Sequence, residues 1–396
     1  MTHFVNGNHI QLLRNGAEYF PALEYAIDNA KREIYLQSYI YLADTAGIRI
    51  GEALKRAATQ GVAVKVLLDG FGSKDLPKTF VQNLEKSGVQ VMFYRPKISP
   101  WTLKRRRLRR LHHKIAIIDS EVAFVGGINI IDDFDVPNHA PNNVPPRIDY
   151  AIRIEGKLLP NIVNSVKKLW RRVAWIHFRQ IDIAYVHPKK NAVESAELNN
   201  EVNNGIKAAL VLRDNVLHRR DIEDAYLTAI TQAKSEIIIA NAYFVPGRRF
   251  RLALISAAKR GVTVKLLLQG RMEYFVMFAT HAFYNDFLKN NIEIYEYRKS
   301  FMHSKVAVID NYWATVGSSN IDPFSLLLAR EANVIVLDQA FATELKQSIE
   351  SSIQEGAQRV EALNWGQANI IKRISSWIAY GFVRLLLGVI GHSTEK

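Results

Sequence analysis

The chain has 396 residues, of which 48% are hydrophobic and 23% are charged, and it contains no cysteine. This composition is typical of a folded globular protein, and the lack of cysteine excludes a scaffold held together by disulfides. The formal net charge of +14 indicates an anionic partner, either a nucleic acid or an anionic lipid surface. No signal peptide is expected, because the first residues form neither a basic nor an apolar segment.

The first quarter of the chain alternates helical and strand-like patterns. The predicted helices are 16–33, 47–60 and 77–87, and the predicted strands are 33–39, 62–68 and 90–94. Gly61 and Gly88 are suited to end the second and third helices as C-caps. This alternation predicts an α/β fold with a mixed or parallel sheet flanked by helices.

A spaced set of polar residues follows the last of these strands. His112, Lys114, Asp119, Gly126 and Asn129 fit the pattern H-x-K-x4-D-x6-G-x2-N. The pattern recurs in the second half of the chain at His303, Lys305, Asp310, Gly317 and Asn320. The same residue types at the same spacing in two places are far beyond chance, so the chain contains an internal repeat.

Each copy of the pattern places an imidazole beside an ammonium group. Residues at i and i+2 of a strand point to the same face, and a strand-like apolar run follows each lysine. Asn129 and Asn320 add amide donors, and the glycines near them allow close backbone approach to a ligand. His113 alternates to the opposite face, so we do not expect it to react.

Together, the two copies suit the chemistry of a phosphodiester. One imidazole can attack phosphorus while the other protonates the leaving oxygen, since histidine titrates near neutral pH. The lysines and amides can hold the phosphoryl oxygens. Neither a metal nor a cofactor is expected, because no cysteine, histidine or carboxylate cluster has the spacing of metal ligands.

Further repeated segments predict two similar lobes with a site at their interface. Residues 26–34 match 229–237, and residues 61–70 match 261–270. The expected units are an N-terminal lobe at 1–184, a linker at 185–208, a C-terminal lobe at 209–365 and a membrane-associating segment at 366–396.

The doubled pattern resembles that of the phospholipase D superfamily, the HKD enzymes. Residues 124–133, 317–323 and 330–334 are similar to stretches of bacterial cardiolipin synthases, particularly of the shorter B type. The resemblance spans about residues 8–365. It implies two homologous phospholipase D-like lobes, each a mixed sheet flanked by helices, which share one active site at a pseudo-two-fold interface.

The resemblance also implies a phosphatidyltransferase activity. Two phosphatidylglycerol molecules become cardiolipin and glycerol through a phosphatidyl-histidine intermediate, without a cofactor. The alternative is a phospholipase D-type hydrolase of lipid or nucleic acid, in which water reaches the same intermediate. A non-enzymatic protein that binds anionic lipid is disfavoured by the two intact motifs.

The implied catalytic residues are His112, Lys114, Asp119, His303, Lys305 and Asp310. Asn129 and Asn320 are expected to help the lysines to hold the phosphoryl oxygens. Asp119 and Asp310 complete the motif, but they fall where a strand turns. This position favours a role in holding the turn over contact with the substrate.

Two acids are implied to support the histidines across the lobes, Glu331 on His112 and Asp149 on His303. Such a carboxylate fixes the tautomer of a histidine and raises its basicity. We expect His112 to be the nucleophile, because the cationic run 104–110 lowers the pKa of a nearby imidazole. His303 is expected to stay protonated more easily and to act as the general acid.

Basic and apolar segments predict a peripheral membrane protein. Five arginines lie directly before the first motif, namely Arg105, Arg106, Arg107, Arg109 and Arg110. At the mouth of a phosphate site they favour an anionic headgroup over a purely solvated loop. Residues 374–391 predict an interfacial or re-entrant segment, with a packed core helix as the alternative, because Arg384 argues against a simple span. The expected partners are phosphatidylglycerol and the cytoplasmic face of a bacterial cell membrane, without nucleic acid.

Overall fold

The computed structural model describes residues 2–95, 109–135, 144–176, 205–214, 218–271, 279–322, 329–361 and 381. Three features predicted from the sequence lie outside these ranges: residues 104–108 of the basic run, residues 185–204 of the linker, and the C-terminal segment apart from residue 381. The described residues contain both motifs and nearly all of both lobes.

Helices and strands alternate along both halves of the chain. The strands are β1 (Val5–Arg14), β2 (Glu33–Ser38), β3 (Ala63–Asp69), β4 (Gln90–Tyr94), β5 (Arg110–Leu111), β6 (Ile115–Ile118), β7 (Val122–Gly126), β8 (Tyr150–Gly156), β9 (Ile206–Arg213), β10 (Glu236–Asn241), β11 (Thr263–Gln269), β12 (Glu293–Tyr297), β13 (Lys305–Ile309), β14 (Trp313–Gly317), β15 (Ala329–Leu337) and β16 (Ala357–Arg359). The helices are α1 (Asn15–Asp28), α2 (Thr45–Thr59), α3 (Lys78–Lys86), α4 (Leu159–Ile176), α5 (Asp221–Gln232), α6 (Arg248–Lys259), α7 (Tyr284–Leu288) and α8 (Gln339–Gly356).

One mixed sheet runs through both lobes. Its strand order is β16-β12-β11-β10-β13-β14-β15-β9-β1-β8-β7-β6-β2-β3-β4, with β5 attached to β15. The order outward from β1 matches the order outward from β9, and these two strands pair antiparallel. A pseudo-two-fold axis therefore passes between β1 and β9, and the predicted α/β fold with two repeated lobes is confirmed.

Two details of the predicted organisation are wrong at the junction between β1 and β9. The lobes do not carry separate sheets, because β1 and β9 join them into one. The predicted linker also extends too far, since Ile206 and Ala208 belong to β9 and lie opposite Asn8 and Val5 of β1. Asn203, Asn204 and Gly205 directly precede Ile206, so the sequence carries a turn signal at the observed boundary.

Both motifs open onto the same edge of the sheet. In each lobe three strands run parallel, β2-β3-β4 and β10-β11-β12. Strands β6 and β13 run antiparallel to them and begin where β2 and β10 end. The motif residues at the start of β6 and β13 thus lie outside the carboxyl ends of the parallel strands, where α/β sheets bind their ligands.

Buried apolar residues hold the lobes together. Helices α1–α3 cover one face of the first lobe and α5–α7 cover the matching face of the second, each over its own core. A third core contains residues of α4 and α8 together with strands from both lobes. Because this apolar core is continuous, the relative position of the two motifs is fixed by buried surface as well as by the sheet.

Helix α1 ends earlier than the apolar pattern predicts. The prediction of a helix to residue 33 is wrong, since α1 ends at Asp28. The backbone N–H groups of Lys31, Arg32 and Glu33 donate instead to the carboxylate of Asp119, at 2.7, 2.7 and 2.9 Å. The helix ends early because Asp119, which is distant in sequence, accepts the backbone N–H groups that a further helical turn would use.

The second motif aspartate makes the same contacts in its own lobe. The carboxylate of Asp310 accepts the N–H groups of Lys234, Ser235 and Glu236, at 2.8, 2.8 and 3.0 Å. Asp119 and Asp310 have φ angles of 53° and 51°, in the left-handed region of a tight turn. The structure brings neither aspartate to the histidines: each lies at the opposite end of its strand from the motif lysine.

Within the described ranges, every helix is too short or too polar to cross a membrane.

Asp119→Asn should lower the thermal midpoint by several degrees. The amide keeps one acceptor oxygen but points an N–H group at backbone donors, which costs about 1–3 kcal/mol. Backbone donors and Arg32, which outweigh the opposing effect of burial, hold the pKa of Asp119 below its usual value. Its stabilising effect is therefore complete at neutral pH and is lost as the pH falls through that lowered pKa.

Thermal unfolding at pH 7 and at acidic pH measures this difference, with Asp75→Asn, an exposed acid, as the matched control. Equal midpoints for Asp119→Asn and Asp75→Asn at pH 7 would contradict the assigned role.

Candidate active site

Two contacts between the lobes bring the motif histidines together. Strand β5 pairs with β15, and the backbone N–H of His112 donates to the carbonyl of Arg330 at 3.0 Å. In the matching place, Ile148 bridges to Met302, and the N–H of His303 donates to the carbonyl of Ile148 at 2.8 Å. Each histidine is thereby fixed to the residue that precedes an acid of the opposite lobe.

The ring of His112 binds the acid of the second lobe. Its Nδ1 lies 2.9 Å from Oε2 of Glu331 and 3.1 Å from the carbonyl oxygen of Ser318. A carbonyl oxygen can only accept a hydrogen bond, so Nδ1 is assigned the proton. The lone pair of Nε2 is then free to attack an electrophile, and the predicted contact of Glu331 with His112 is present.

The ring of His303 binds the acid of the first lobe in the same way. Its Nδ1 lies 2.7 Å from Oδ2 of Asp149, as predicted, and Nζ of Lys305 lies 3.9 Å from the same oxygen. The side chains of His112 and His303 are 12% and 11% exposed, whereas those of Glu331 and Asp149 are 0% and 3% exposed. A ligand can therefore reach the rings but not the acids behind them.

The motif lysines are buried beside the histidines. Nζ of Lys114 donates to the carbonyl of His112 at 3.0 Å, and Nζ of Lys305 donates to the carbonyl of His303. Lys114 is 3% exposed and Lys305 is fully buried. Burying two ammonium groups is costly unless an anion offsets their charge, so the site is suited to a phosphate.

The motif asparagines are also buried next to these groups. Oδ1 of Asn129 accepts the N–H of Ile40 at 3.1 Å, which leaves the amide nitrogen to donate. Oδ1 of Asn320 is buried and has no hydrogen-bond partner among the described residues. The assignment of both amides to the phosphoryl oxygens stays a prediction.

The glycines of the motif are packed against the protein. A Cβ on Gly127 would lie 2.3 Å from Oδ1 of Asp149, and one on Gly126 would lie 2.4 Å from Cα of Ala151. This packing accounts for glycine at both positions, and the close approach to a ligand stays a prediction. His113 is buried, and its Nδ1 lies 3.1 Å from Oε1 of Gln37, away from the paired histidines.

Arg109 and Arg110 are the two members of the predicted basic cluster that the structure describes. The guanidinium of Arg110 lies 5.2 Å from the centroid of Phe71, a side chain that is 43% exposed. Within the described ranges, no three His, Cys, Asp or Glu side chains are grouped in a way that could hold a metal ion.

Residues 23–133 and 226–353 match the family model described as cardiolipin synthase, PLD-like domain. The chain belongs to the cardiolipin synthase family.

Similar proteins are known across the full length of the chain. Cardiolipin synthase B of Escherichia coli (strain K12) is 37% identical over 97% of this chain and 90% of its own length. Cardiolipin synthase 1 of Bacillus cereus is 28% identical over 95% of this chain and 71% of its own length. A crystal structure of phosphatidylserine synthase from Haemophilus influenzae has a TM-score of 0.67 and 14% identity, and it covers 97% of this chain and 95% of its own. That likeness supports the fold alone.

Both histidines of this cardiolipin synthase family member are neutral before a ligand binds. Burial, followed by the charges of Lys114 and Lys305, lowers the pKa of His112 well below its usual value. Burial and Lys305 lower the pKa of His303 to about 3. The expectation that His303 stays protonated is thus wrong for the site without substrate, because the docked lobes bury the imidazole beside Lys305. The lowered pKa of His112 is likewise caused by burial and by Lys114 and Lys305.

The two acids differ in charge although they occupy matching positions. Burial raises the pKa of Glu331 to about 8, so its carboxyl group is protonated at neutral pH. For Asp149, burial raises the pKa, but Lys305 and His303 outweigh it and hold the pKa below its usual value. The first lobe therefore contributes an anion and the second a neutral acid.

Three side chains near the histidines were not predicted from the sequence. The hydroxyl of Ser318 donates to Oε2 of Glu331 at 2.6 Å, where the first lobe has Gly127. Tyr39 lies edge-on to His112 with ring centroids 4.7 Å apart, and Phe301 stacks on His303 at 6.0 Å. Ser318 could have been found from the sequence, because it is a position at which the two motif copies differ: the first copy has Gly127 there.

The unequal acids predict unequal effects of their amides. We expect Asp149→Asn to reduce phosphodiester turnover about 10–100-fold at pH 7, because it removes the charge that orients His303. Glu331→Gln should reduce turnover at pH 7 by a smaller factor, because an amide resembles the neutral carboxyl group. The ratio of the wild-type rate to the Glu331→Gln rate should change as the pH rises through about 8, where Glu331 ionises.

Initial rates between about pH 6 and pH 9 test this expectation, and circular dichroism checks the folding of each variant. A loss at pH 7 that is as large for Glu331→Gln as for Asp149→Asn would contradict the assigned charges.

Proposed function

We propose that the protein is a cardiolipin synthase that transfers a phosphatidyl group from one phosphatidylglycerol to another and releases glycerol. The observation that carries this proposal is the pairing of two histidine–lysine half-sites, each completed by an acid of the other lobe. The names of two relatives, cardiolipin synthase B of Escherichia coli and cardiolipin synthase 1 of Bacillus cereus, support lipid transfer over the hydrolysis of nucleic acid.

In the first step, Nε2 of His112 attacks the phosphorus of the donor lipid. A P–N bond forms, and the bond from phosphorus to the oxygen of the headgroup glycerol breaks. His303 gives its Nε2 proton to that oxygen, and glycerol leaves. The product is a phosphatidyl group bound to His112.

In the second step, a hydroxyl of the acceptor phosphatidylglycerol attacks the same phosphorus. Its proton passes to Nε2 of His303, the P–N bond breaks, and His112 becomes neutral again. Cardiolipin is released, and His303 has regained the proton that it gave to glycerol. Water in place of the acceptor would give phosphatidic acid, which is how the competing hydrolysis proceeds.

The bound phosphate prepares the site for the first step. Lys114 and Lys305 would bind its oxygens, with Asn129 and Asn320 as further donors. The anion offsets the charges that lower the pKa of His303, so the imidazolium becomes more favourable next to the ionised Asp149. This asymmetry and the family resemblance support His112 as nucleophile and His303 as general acid and base.

The site is proposed to face an anionic membrane. Peripheral binding at the cytoplasmic face of a bacterial membrane, with phosphatidylglycerol as the lipid partner, fits the net charge of +14. Phe71 supports this orientation, since the guanidinium of Arg110 and the ammonium of Lys74 lie 5.2 and 5.7 Å from the centroid of its exposed ring. An aromatic ring with two cations suits a headgroup interface.

Trapping the intermediate tests the proposed chemistry. His112→Ala and His303→Ala should each reduce cardiolipin formation by at least about 10²–10⁴-fold, because each removes a reacting group. Acid quenching with a labelled phosphatidyl donor, followed by peptide mapping, should give label on the peptide with His112. Label on the peptide with His303 would reverse the two roles, and near-normal activity in either alanine variant would remove the shared site.

Binding to vesicles tests the proposed membrane contact. Neutralising Arg105, Arg106, Arg107, Arg109 and Arg110 together should weaken sedimentation with phosphatidylglycerol vesicles. The effect should shrink at high salt, because each basic residue near such a surface contributes about 1 kcal/mol that salt screens. Deletion from residue 370 should weaken binding with less dependence on salt. Vesicles of zwitterionic lipid are the control, and unchanged binding of both variants would place the contact surface elsewhere.

A further inference from the structure

The proposed function, on which this inference rests, brings two phosphodiester groups into one cleft. The motif lysines and amides serve the phosphate that reacts. The acceptor lipid carries a second phosphate, separated by one glycerol from the hydroxyl that His303 activates. A cation near His303, outside the set that holds the reacting phosphate, would therefore distinguish this acceptor from water.

One aromatic ring, that of Phe301, contacts both Arg147 and His303. Its guanidinium lies 6.0 Å from the centroid of Phe301, and this ring stacks on the imidazole of His303 at 6.0 Å with 20° between the planes. The backbone N–H of Ile148 donates to the carbonyl of Phe301 at 3.0 Å, which fixes the two segments together. Arg147 thus lies beside the His303 half of the site.

The guanidinium of Arg147 is buried without a full set of partners. The residue is 7% exposed, and one of its terminal nitrogens donates to the carbonyl of Asp135. Its Nε is buried and has no hydrogen-bond partner in the part of the chain that the structure describes. The carboxylate of Asp133 accepts the N–H of Gly16 at Oδ2, at 2.6 Å, and it is near enough for the charge of Arg147 to oppose the effect of burial on its pKa. A buried cation with an unused donor suits an anion with several acceptor oxygens.

This arrangement occurs in one half of the repeat. When the two acids are aligned, Arg147 falls opposite Ala329, and when the two histidines are aligned, Phe301 falls opposite Arg110. At these two positions the His112 half therefore has no counterpart of Arg147 or Phe301; its ring is Tyr39, which lies edge-on to His112, and its arginine is Arg330, one residue closer to the acid. A difference of this kind is expected if the two halves receive different groups of the substrates.

We infer that Arg147 binds the phosphate of the acceptor lipid and so selects an anionic phosphodiester alcohol over water and neutral alcohols. Its planar guanidinium can bind two oxygens of a phosphodiester through a rigid pair of N–H groups, which an ammonium group does not have. The acceptor hydroxyl then points to His303, which takes its proton as the P–N bond breaks. Arg147 touches neither the donor phosphorus nor the histidine that attacks it.

The test compares acceptors for the full-length protein in detergent-dispersed phosphatidylglycerol. Three products are measured: cardiolipin from the anionic acceptor, phosphatidic acid from water, and phosphatidylethanol from added ethanol. Arg147→Gln should reduce cardiolipin formation by roughly thirtyfold or more, the usual effect of removing one partner of a buried charge pair. Phosphatidic acid and phosphatidylethanol should form at close to wild-type rates.

Two further variants control for effects on folding and on charge. Arg147→Lys should restore part of the cardiolipin yield, because lysine keeps the positive charge but lacks the paired N–H groups of the guanidinium. Arg153→Gln removes an arginine from β8 of the same lobe, where its partner is Glu155, and should leave all three products unchanged.

The outcomes separate the two proposals. Equal loss of all three products in Arg147→Gln, or no loss of cardiolipin, would overturn the acceptor site. A wild-type protein that forms phosphatidic acid and phosphatidylethanol but no cardiolipin would overturn the proposed synthase activity itself.

Discussion

The site depends on crossed contacts in which each histidine binds two consecutive residues of the opposite lobe. The backbone N–H of His112 binds the carbonyl of Arg330, and its ring binds Glu331; His303 binds Ile148 and Asp149 in the same manner. The backbone bond fixes the position of the histidine, and the acid fixes its ring and tautomer. Neither lobe alone contains a complete histidine–acid pair, so the chemistry requires the lobes to be docked.

The pseudo-symmetry of the scaffold does not extend to the charges of the site. The strand order and the turn-holding aspartates repeat closely, yet Asp149 is ionised and Glu331 is protonated at neutral pH. The longer acid has a hydroxyl partner in Ser318, where Gly127 leaves room for the shorter one. A two-step transfer needs one group to attack and another to move protons. Unequal half-sites are a physical means of dividing these tasks.

Much of the fold and the main contacts of the site could be predicted from the sequence. The strand from 90 to 94 has the predicted bounds, and the acids at 149 and 331 contact the predicted histidines. These predictions succeeded because hydrophobic period and motif spacing are local properties of the chain. The pairing of β1 with β9, the early end of α1 and the protonation of His303 could not be predicted. Each depends on residues distant in sequence, namely another strand, Asp119 and the opposite lobe that buries His303.

The junction between β1 and β9 has a consequence for the origin of the protein. Two copies of a single lobe could pair through the β1 edge about a true two-fold axis, and each histidine would then meet the acid of the other copy. A site of this architecture does not need both lobes on one polypeptide, so a homodimer of one lobe can precede gene duplication and fusion. Fusion allows the copies to diverge independently. Substitutions such as Ala329 opposite Arg147 become possible only when the halves no longer share one gene sequence.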